Sequence, residues 1–112
     1  MIFLEKDMPI KEIEDRNFYR EAIDIKLPSV ILITKNKKED SLLKMLEDLS
    51  KHFGECIKFF LLDATKNRMH EDLGITTFPA IVYFRETMEV ERHLHNPTKE
   101  EIEAVLKKLC KR

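Results

Sequence analysis

Hydrophobic residues fall along the chain in two patterns: short continuous runs, and longer runs with a spacing of three and four. Residues 28–34 (PSVILIT) and 57–62 (IKFFLL) are runs of mainly aliphatic, β-branched and aromatic side chains. Runs of this length are typical of strands buried on both faces of a sheet. A third run at residues 80–84 (AIVYF) follows Pro79, and a short turn separates it from residues 89–93. The pattern therefore predicts two central strands and a hairpin.

Two helices have clear signals in the sequence. Residues 40–53 place apolar side chains on one helical stripe, at Leu42, Met45, Leu46, Leu49 and Phe53. Gly54 follows, and we expect it to end this helix in a left-handed conformation. Thr98 and Glu101 have the spacing of a capping box, which predicts the start of the last helix.

Two shorter helices are predicted from weaker signals. Residues 15–24 carry apolar side chains on one helical face, and residues 66–73 form a second short segment. For the second helix, Thr65 is the expected N-cap and Gly74 the residue that ends it.

The elements follow one another in the order βαβαβαββα, which begins with a brief edge strand at Ile10 and Ile13. This order predicts an α/β fold with a mixed central sheet and helices on both faces. The sequence contains no repeat, low-complexity tract or Gly/Ser linker. We therefore interpret residues 1–8 as an N-terminal extension and residues 9–112 as one domain.

Composition and charge exclude several classes of function. The 112 residues are 43% hydrophobic and 37% charged, which predicts a globular, well-solvated domain and not a disordered chain. Lys and Arg number 20 against 21 Asp and Glu, and a net charge of −1 lacks the basic excess of a nucleic-acid binder. No run approaches the roughly 20 apolar residues of a membrane helix, and the N-terminus lacks the pattern of a signal peptide. Two cysteines are too few for a disulfide scaffold and fit a reducing cytosol. From charge, apolar runs and cysteine count together, we expect a cytoplasmic protein that binds neither nucleic acid nor membrane.

The segment at residues 73–84 (LGITTFPAIVYF) is the most specific motif of the chain. With the order of elements around it, it resembles the thioredoxin-like superfamily over about residues 9–110. In that superfamily a segment of this kind leads through a cis-proline into the fourth strand, and Pro79 matches that proline. A cis X–Pro bond turns the chain sharply before a strand. The turn would leave the backbone beside Phe78 unpaired and facing a groove, where an extended peptide could add as a short strand.

The redox motif of the superfamily is missing. The resemblance places it between the second strand and the long helix, where this chain has residues 34–41 (TKNKKEDS), without Cys or Trp. Thiol–disulfide exchange needs a nucleophilic thiolate and a second thiol. The preceding strand also lacks the buried carboxylate of many superfamily members, because Ile31, Leu32 and Ile33 are apolar. We therefore do not expect disulfide reductase activity.

The resemblance and the residues together predict a redox-inactive domain that binds an extended peptide or a partner protein beside the cis-proline loop. The expected groove has two sides, the cis-proline loop and the loop that faces it, with the residues Thr77, Phe78, Pro79, Lys35, Asn36, Lys37 and Lys38. The lysines would favour acidic partners. We expect no catalytic residue, cofactor or metal ion. His93 and His95 have the spacing of two ligands on one strand face, but no third ligand is close in sequence.

Several alternatives stay open at this point. Residues 35–38 precede a helix and would suit an anion, or they are a solvated connector in which Asn36 or Asp40 caps the helix. Cys56 and Cys110 are incidental thiols, a regulatory disulfide, or the centre of an atypical thiol–disulfide oxidoreductase. The chain could also be a structural or assembly subunit, either a monomer or a weak homodimer that uses an edge strand.

Overall fold

Five strands form one mixed sheet in this computed structural model, which describes residues 10–111. The strands are β1 (Ile10–Ile13), β2 (Ser29–Thr34), β3 (Lys58–Asp63), β4 (Ala80–Arg85) and β5 (Met88–His93). Their order across the sheet is β1-β3-β2-β4-β5. β1 and β2 run parallel to β3, whereas β4 is antiparallel to its neighbours β2 and β5. The predicted edge strand, central strands and hairpin are confirmed, while the proposed extension at residues 1–8 lies outside the described residues.

In residues 10–111, three α-helices accompany the sheet: α1 (Ser41–Phe53), α2 (Met69–Asp72) and α3 (Lys99–Cys110). A 3₁₀ turn at Lys37–Glu39 precedes α1. Within the described part of the chain, no helix has the length and apolar character needed to cross a membrane.

The predicted helix at residues 15–24 is not an α-helix. The chain forms a 3₁₀ turn at Asp15–Asn17 and then a π-helical turn at Tyr19–Ile23, which closes with the Asp24 amide donating to the Tyr19 carbonyl oxygen at 2.7 Å. The wider π turn is compatible with burial of both Ala22 and Ile23 on the sheet side. The apolar spacing therefore identified the buried face but not the type of helix.

The central strand β2 separates two hydrophobic cores. All six of its residues are buried. Val30 and Leu32 belong to the core that includes the buried side chains of α1 and α3. Ile31 and Ile33 belong to the opposite core, which includes the π-helical turn and α2. The continuous apolar run in the sequence therefore reflects a strand covered on both faces.

The ends of α1 and α3 are fixed by local contacts. The carboxylate of Asp40 accepts a hydrogen bond from the Leu42 amide at 2.9 Å and caps α1. The capping box of Thr98 and Glu101 opens α3 as predicted. Gly54 is the C-cap of α1 as predicted, but its backbone is not left-handed, since it has φ −65° and ψ −17°. A glycine is required there for space, because a Cβ atom would lie 2.7 Å from the Ser50 carbonyl oxygen.

Helix α2 is shorter than predicted and has a different cap. Thr65 is not its N-cap. Instead, the carboxylate of Asp15 accepts hydrogen bonds from the amides of Arg68 and Met69, at 2.7 and 2.9 Å. The helix ends before Gly74, whose φ of +74° has the left-handed geometry expected for it.

A disulfide joins Cys56 to Cys110, with the two Cα atoms 5.6 Å apart. Cys56 lies just before β3 and Cys110 is the last residue of α3, so the bond ties the final helix to the start of a central strand. Arg85 of β4 holds the same helix end, because its guanidinium donates to the carbonyl oxygens of Lys108 and Leu109 at 2.9 and 2.6 Å. The sequence left the pairing of the cysteines open, and the structure decides it.

We predict that loss of the disulfide lowers the free energy of unfolding by about 2–4 kcal/mol, because the cross-link restricts the unfolded chain. Urea denaturation of the double variant Cys56→Ser/Cys110→Ser measures the loss. Dithiothreitol should lower the urea midpoint of the wild type to about that of the double variant. It should leave the midpoint of the double variant unchanged. An unchanged midpoint in wild-type protein whose thiols titrate as reduced would contradict a stabilising role.

Candidate functional site

The loop before β4 presents backbone groups that the fold does not use. Its last internal hydrogen bond runs from the Ile75 amide to the His70 carbonyl oxygen, at 2.9 Å. With respect to residues 10–111, the backbone groups of Thr76, Thr77 and Phe78 make no hydrogen bond. Thr76 and Thr77 are exposed, Phe78 is half-buried, and the Phe78–Pro79 peptide is cis. Three successive residues therefore offer donors and acceptors to a partner.

Lys35, in the segment between β2 and α1, contacts this loop. The Lys35 Nζ atom lies over the Phe78 ring, 4.8 Å from its centroid. The ring face attracts the ammonium group, an interaction worth about 0.5–1 kcal/mol at an exposed site. This contact joins the two loops that were expected to face each other across the groove.

A cavity of about 340 Å³ lies between these two loops. Its lining comes from the end of β2, the start of α1, the cis-proline loop and the connection from β5 to α3: Thr34, Lys35, Asn36, Asp40, Ser41, Phe78, Pro79 and Asn96. Four of the predicted groove residues, Lys35, Asn36, Phe78 and Pro79, are thus brought together. Asn96 was missed by the sequence analysis, because only the fold brings the β5–α3 connection to this place.

Phe78 also contacts a histidine that the sequence analysis did not consider for this site. The rings of His70 and Phe78 pack edge to face, with their centroids 5.2 Å apart. The Nδ1 atom of His70 is buried and has no hydrogen-bond partner among the described residues. His70 therefore supports the position of the Phe78 ring by packing.

The other predicted groove residues lie outside the cavity lining. Thr77 is exposed in the loop and does not line the cavity. The Lys37 Nζ atom donates to both carboxylate oxygens of Glu12 at 2.9 Å, and this hydrogen bond raises the pKa of Lys37 despite partial burial. Lys38 is exposed and also outside the cavity lining. The loop lysines therefore do not act as one patch, and Lys35 alone reaches Phe78.

The start of α1 is already occupied by a carboxylate. Asp40 caps this helix, and its negative charge complements the positive end of the helix dipole. Of the two alternatives for residues 35–38, the structure has the connector in which Asp40 is the cap. An anion site at this helix end is not supported.

A buried carboxylate lies at the end of β3, a strand that the sequence analysis did not examine for one. Asp63 ends β3 and pairs across the sheet with Thr34 of β2. Its Oδ1 atom accepts hydrogen bonds from the amide and hydroxyl groups of Thr65, at 2.9 and 2.6 Å, and its Oδ2 atom lies 3.8 Å from the Lys37 Nζ atom. Burial acts to raise the pKa of Asp63, but the hydrogen bonds of Thr65 and the charge of Lys37 lower it below the ordinary value. The ionised carboxylate of Asp63 therefore stabilises the turn after β3.

The two histidines considered as metal ligands do not share a strand. β5 ends at His93, so His95 lies beyond it. The His93 Nδ1 atom is 3.0 Å from the hydroxyl oxygen of the buried Tyr83, which gives this ring a structural contact. Residues 10–111 contain no group of three His, Cys, Asp or Glu side chains arranged to hold a metal ion.

Comparison with known proteins identifies the architecture. No protein-family model matches the chain, and no curated protein does. Solved structures do match, among them the thioredoxin of Malassezia sympodialis (Mala s 13), with a TM-score of 0.77 over 91% of each chain and 14% sequence identity. The chain has the thioredoxin fold. The expected α/β class and mixed sheet are confirmed. Because the sequence identity is this low, the similarity shows the fold and nothing about activity.

Within this thioredoxin fold, the segment after β2 has no thiol. Residues 34–41 contain no cysteine, and both cysteines of the chain are consumed in the cross-link at the other end of the sheet. The resemblance places the redox motif in this segment. Here its residues line the cavity instead, and Lys35 contributes an ammonium group.

We predict that ionised Asp63 contributes stability that is present above its ordinary pKa of 3.8 and is lost as the pH falls through the lowered value. Urea denaturation at about pH 7 and about pH 3 measures this loss. The loss should be smaller in Asp63→Asn, which has no carboxylate to protonate. Asp48→Asn, at an exposed position of α1, is the matched control and should behave as the wild type. Equal losses in wild type and Asp63→Asn would contradict the assignment.

Proposed function

We propose that this chain is a redox-inactive thioredoxin-fold module that binds an extended segment of a partner protein at the cis-proline loop. The observation that carries the proposal is the run of unpaired backbone groups at Thr76, Thr77 and Phe78, beside a cavity of about 340 Å³. A peptide in extended conformation satisfies such groups by adding as a short strand.

Phe78 and Pro79 supply the apolar contact for the bound segment. Both are half-buried and both line the cavity, so an apolar side chain of the peptide would cover surface that is still in contact with water. His70 backs the Phe78 ring, which gives the peptide a supported surface. Aromatic side chains held in this way often carry much of the affinity of an interface.

Lys35 favours a segment that carries a carboxylate. It is exposed, and its ammonium group has no ion pair within residues 10–111 apart from the contact with the Phe78 ring. The nearby carboxylate of Asp40 is engaged by the start of α1. Asn96 adds an amide that can both donate and accept hydrogen bonds. The preferred partner is therefore an extended segment with an apolar residue next to an acidic one.

Redox inactivity rests on the position of the two sulfur atoms. Catalytic cysteines are activated as thiolates at the positive N-termini of helices. Here Cys56 lies shortly after the C-terminal end of α1, and Cys110 lies at the C-terminal end of α3. Both helix ends are negative and disfavour a thiolate, so the alternative of an atypical thiol enzyme has little chemical support.

Binding is tested with peptides selected by the full-length protein from a displayed library of random sequences. Phe78→Ala should weaken a selected peptide by about tenfold or more, because the apolar contact is lost. Lys35→Glu should weaken acidic peptides specifically. The matched control is Lys38→Glu, which makes the same change of charge three residues away and outside the cavity, and it should leave affinity unchanged.

Amide exchange provides a second measure of the same binding. The amides of Thr76, Thr77 and Phe78 should exchange rapidly in the free protein and become protected by the selected peptide. Equal affinities for the wild type, Phe78→Ala and Lys35→Glu would refute the proposed site, as would protection confined to another part of the chain.

Disulfide reductase turnover tests the absence of thiol chemistry. We expect the wild type and the variant Cys56→Ser/Cys110→Ser to show the same rate as buffer containing the reductant alone. Turnover by the wild type that disappears in the double variant would overturn redox inactivity and place the chemistry at the cross-link.

A further inference from the structure

A second cavity lies at the end of the sheet opposite the cis-proline loop. Its volume is about 820 Å³, within the range of small-molecule sites. The cavity, called here the basic cleft, lies between β1, the π-helical turn and its exit, the C-terminal end of α1 and the start of β3: Lys11, Arg20, Glu21, Ile25, Lys26, Leu27, Ser50, Gly54, Ile57, Lys58, Phe59 and Phe60. Since Lys58 pairs with Ser29 at the start of β2, the cleft and the proposed peptide site lie at opposite ends of the strands.

The lining of the basic cleft includes buried apolar residues from both faces of the sheet. Ile57 and Phe59 belong to one core and Phe60 to the other, with exposures of 1%, 4% and 5%. Ile25 and Leu27 are half-buried beside them. These two side chains retain apolar surface that a ligand would remove from water.

The rim of the basic cleft carries four cationic side chains and one carboxylate. Lys11 donates to the carboxylate of Glu21 at 2.7 Å, and Arg20 lies 3.9 Å from the same group. The hydrogen bond and the charge of Lys11 lower the pKa of Glu21, so this carboxylate is ionised. Its negative charge balances one of the four positive charges on the rim. The cleft is therefore positive although the whole chain has a net charge of −1.

Two of the rim lysines are available to a ligand. Lys26 and Lys58 are both exposed, and neither forms an ion pair with any residue in the range 10–111. The two segments that carry them are joined, because the Lys58 amide donates to the Pro28 carbonyl oxygen at 2.9 Å. Two unmatched ammonium groups are thus carried on adjoining segments at the mouth of a partly apolar cleft.

We propose that the basic cleft binds an amphiphilic anion: an apolar chain or ring that carries one carboxylate or phosphate group. The anionic group contacts Lys26 and Lys58, and the apolar part covers Ile25 and Leu27. This function is separate from peptide binding at the cis-proline loop. A polyanion such as nucleic acid fits poorly, because the net negative charge of the chain repels it away from the cleft.

Calorimetric titration of the full-length protein with dodecanoate and with dodecyl phosphate, each below its micelle concentration, tests the proposal. One site per chain is expected for at least one of these anions, and the comparison of the two distinguishes a carboxylate from a phosphate ligand. Lys26→Glu/Lys58→Glu should weaken binding by about tenfold or more, because attraction is replaced by repulsion. The matched control Lys51→Glu/Lys107→Glu makes the same change of charge at exposed positions outside the cleft and should bind as the wild type.

Four outcomes would overturn the assignment. The first is no binding of either anion. The second is an equal loss in the control variant, which would indicate a general effect of charge. The third is equal binding of dodecyltrimethylammonium, which has the same tail and the opposite charge. The fourth is a mass of two chains in the absence of ligand, together with no binding of any of the tested compounds. That result would assign the basic cleft to contact with a second copy of the chain.

Discussion

Burial of β2 on both faces determines how the other elements are arranged. A strand whose six residues are all buried must have a layer of helices on each side. That requirement places α1 and α3 on one face and the π-helical turn with α2 on the other. It also fixes the two ends of the molecule, because the chain leaves β2 at Thr34, beside the cis-proline loop, and enters it at Ser29, beside Lys58.

The two ends of the sheet have different chemistry. At the end of β2, Lys35 and Phe78 enclose a small cavity next to unpaired backbone. At the start of β2 lie the covalent cross-link of Cys56 and Cys110 and the basic cleft. The chain thus has a cis-proline loop with unpaired backbone groups at one end of the sheet, and its two cysteine sulfur atoms are bonded to each other at the other end. A fold of this kind supports many functions, and the side chains at its ends decide among them.

Much of the candidate site followed from the sequence, and the errors have identifiable physical causes. Pro79 and Phe78 were assigned through the resemblance to the thioredoxin-like superfamily, and a proline before a buried run is a local signal that agrees with it. Lys35 and Lys37 are two residues apart and were expected to face the same groove. They diverge because Lys37 finds Glu12 and Asp63, whereas Lys35 finds an aromatic ring. Distances to partners far along the chain cannot be read from a run of charges.

Elements whose causes are local can be predicted from the residues alone. Periodicity defined the strands and α1, and the capping box at Thr98 depends on a residue only three positions away. The tertiary structure alone decided that Asp15 caps α2 and that Cys56 bonds to Cys110, contacts that span more than 50 residues. Such pairings depend on how the layers pack around β2, because packing sets which distant side chains come within bonding distance.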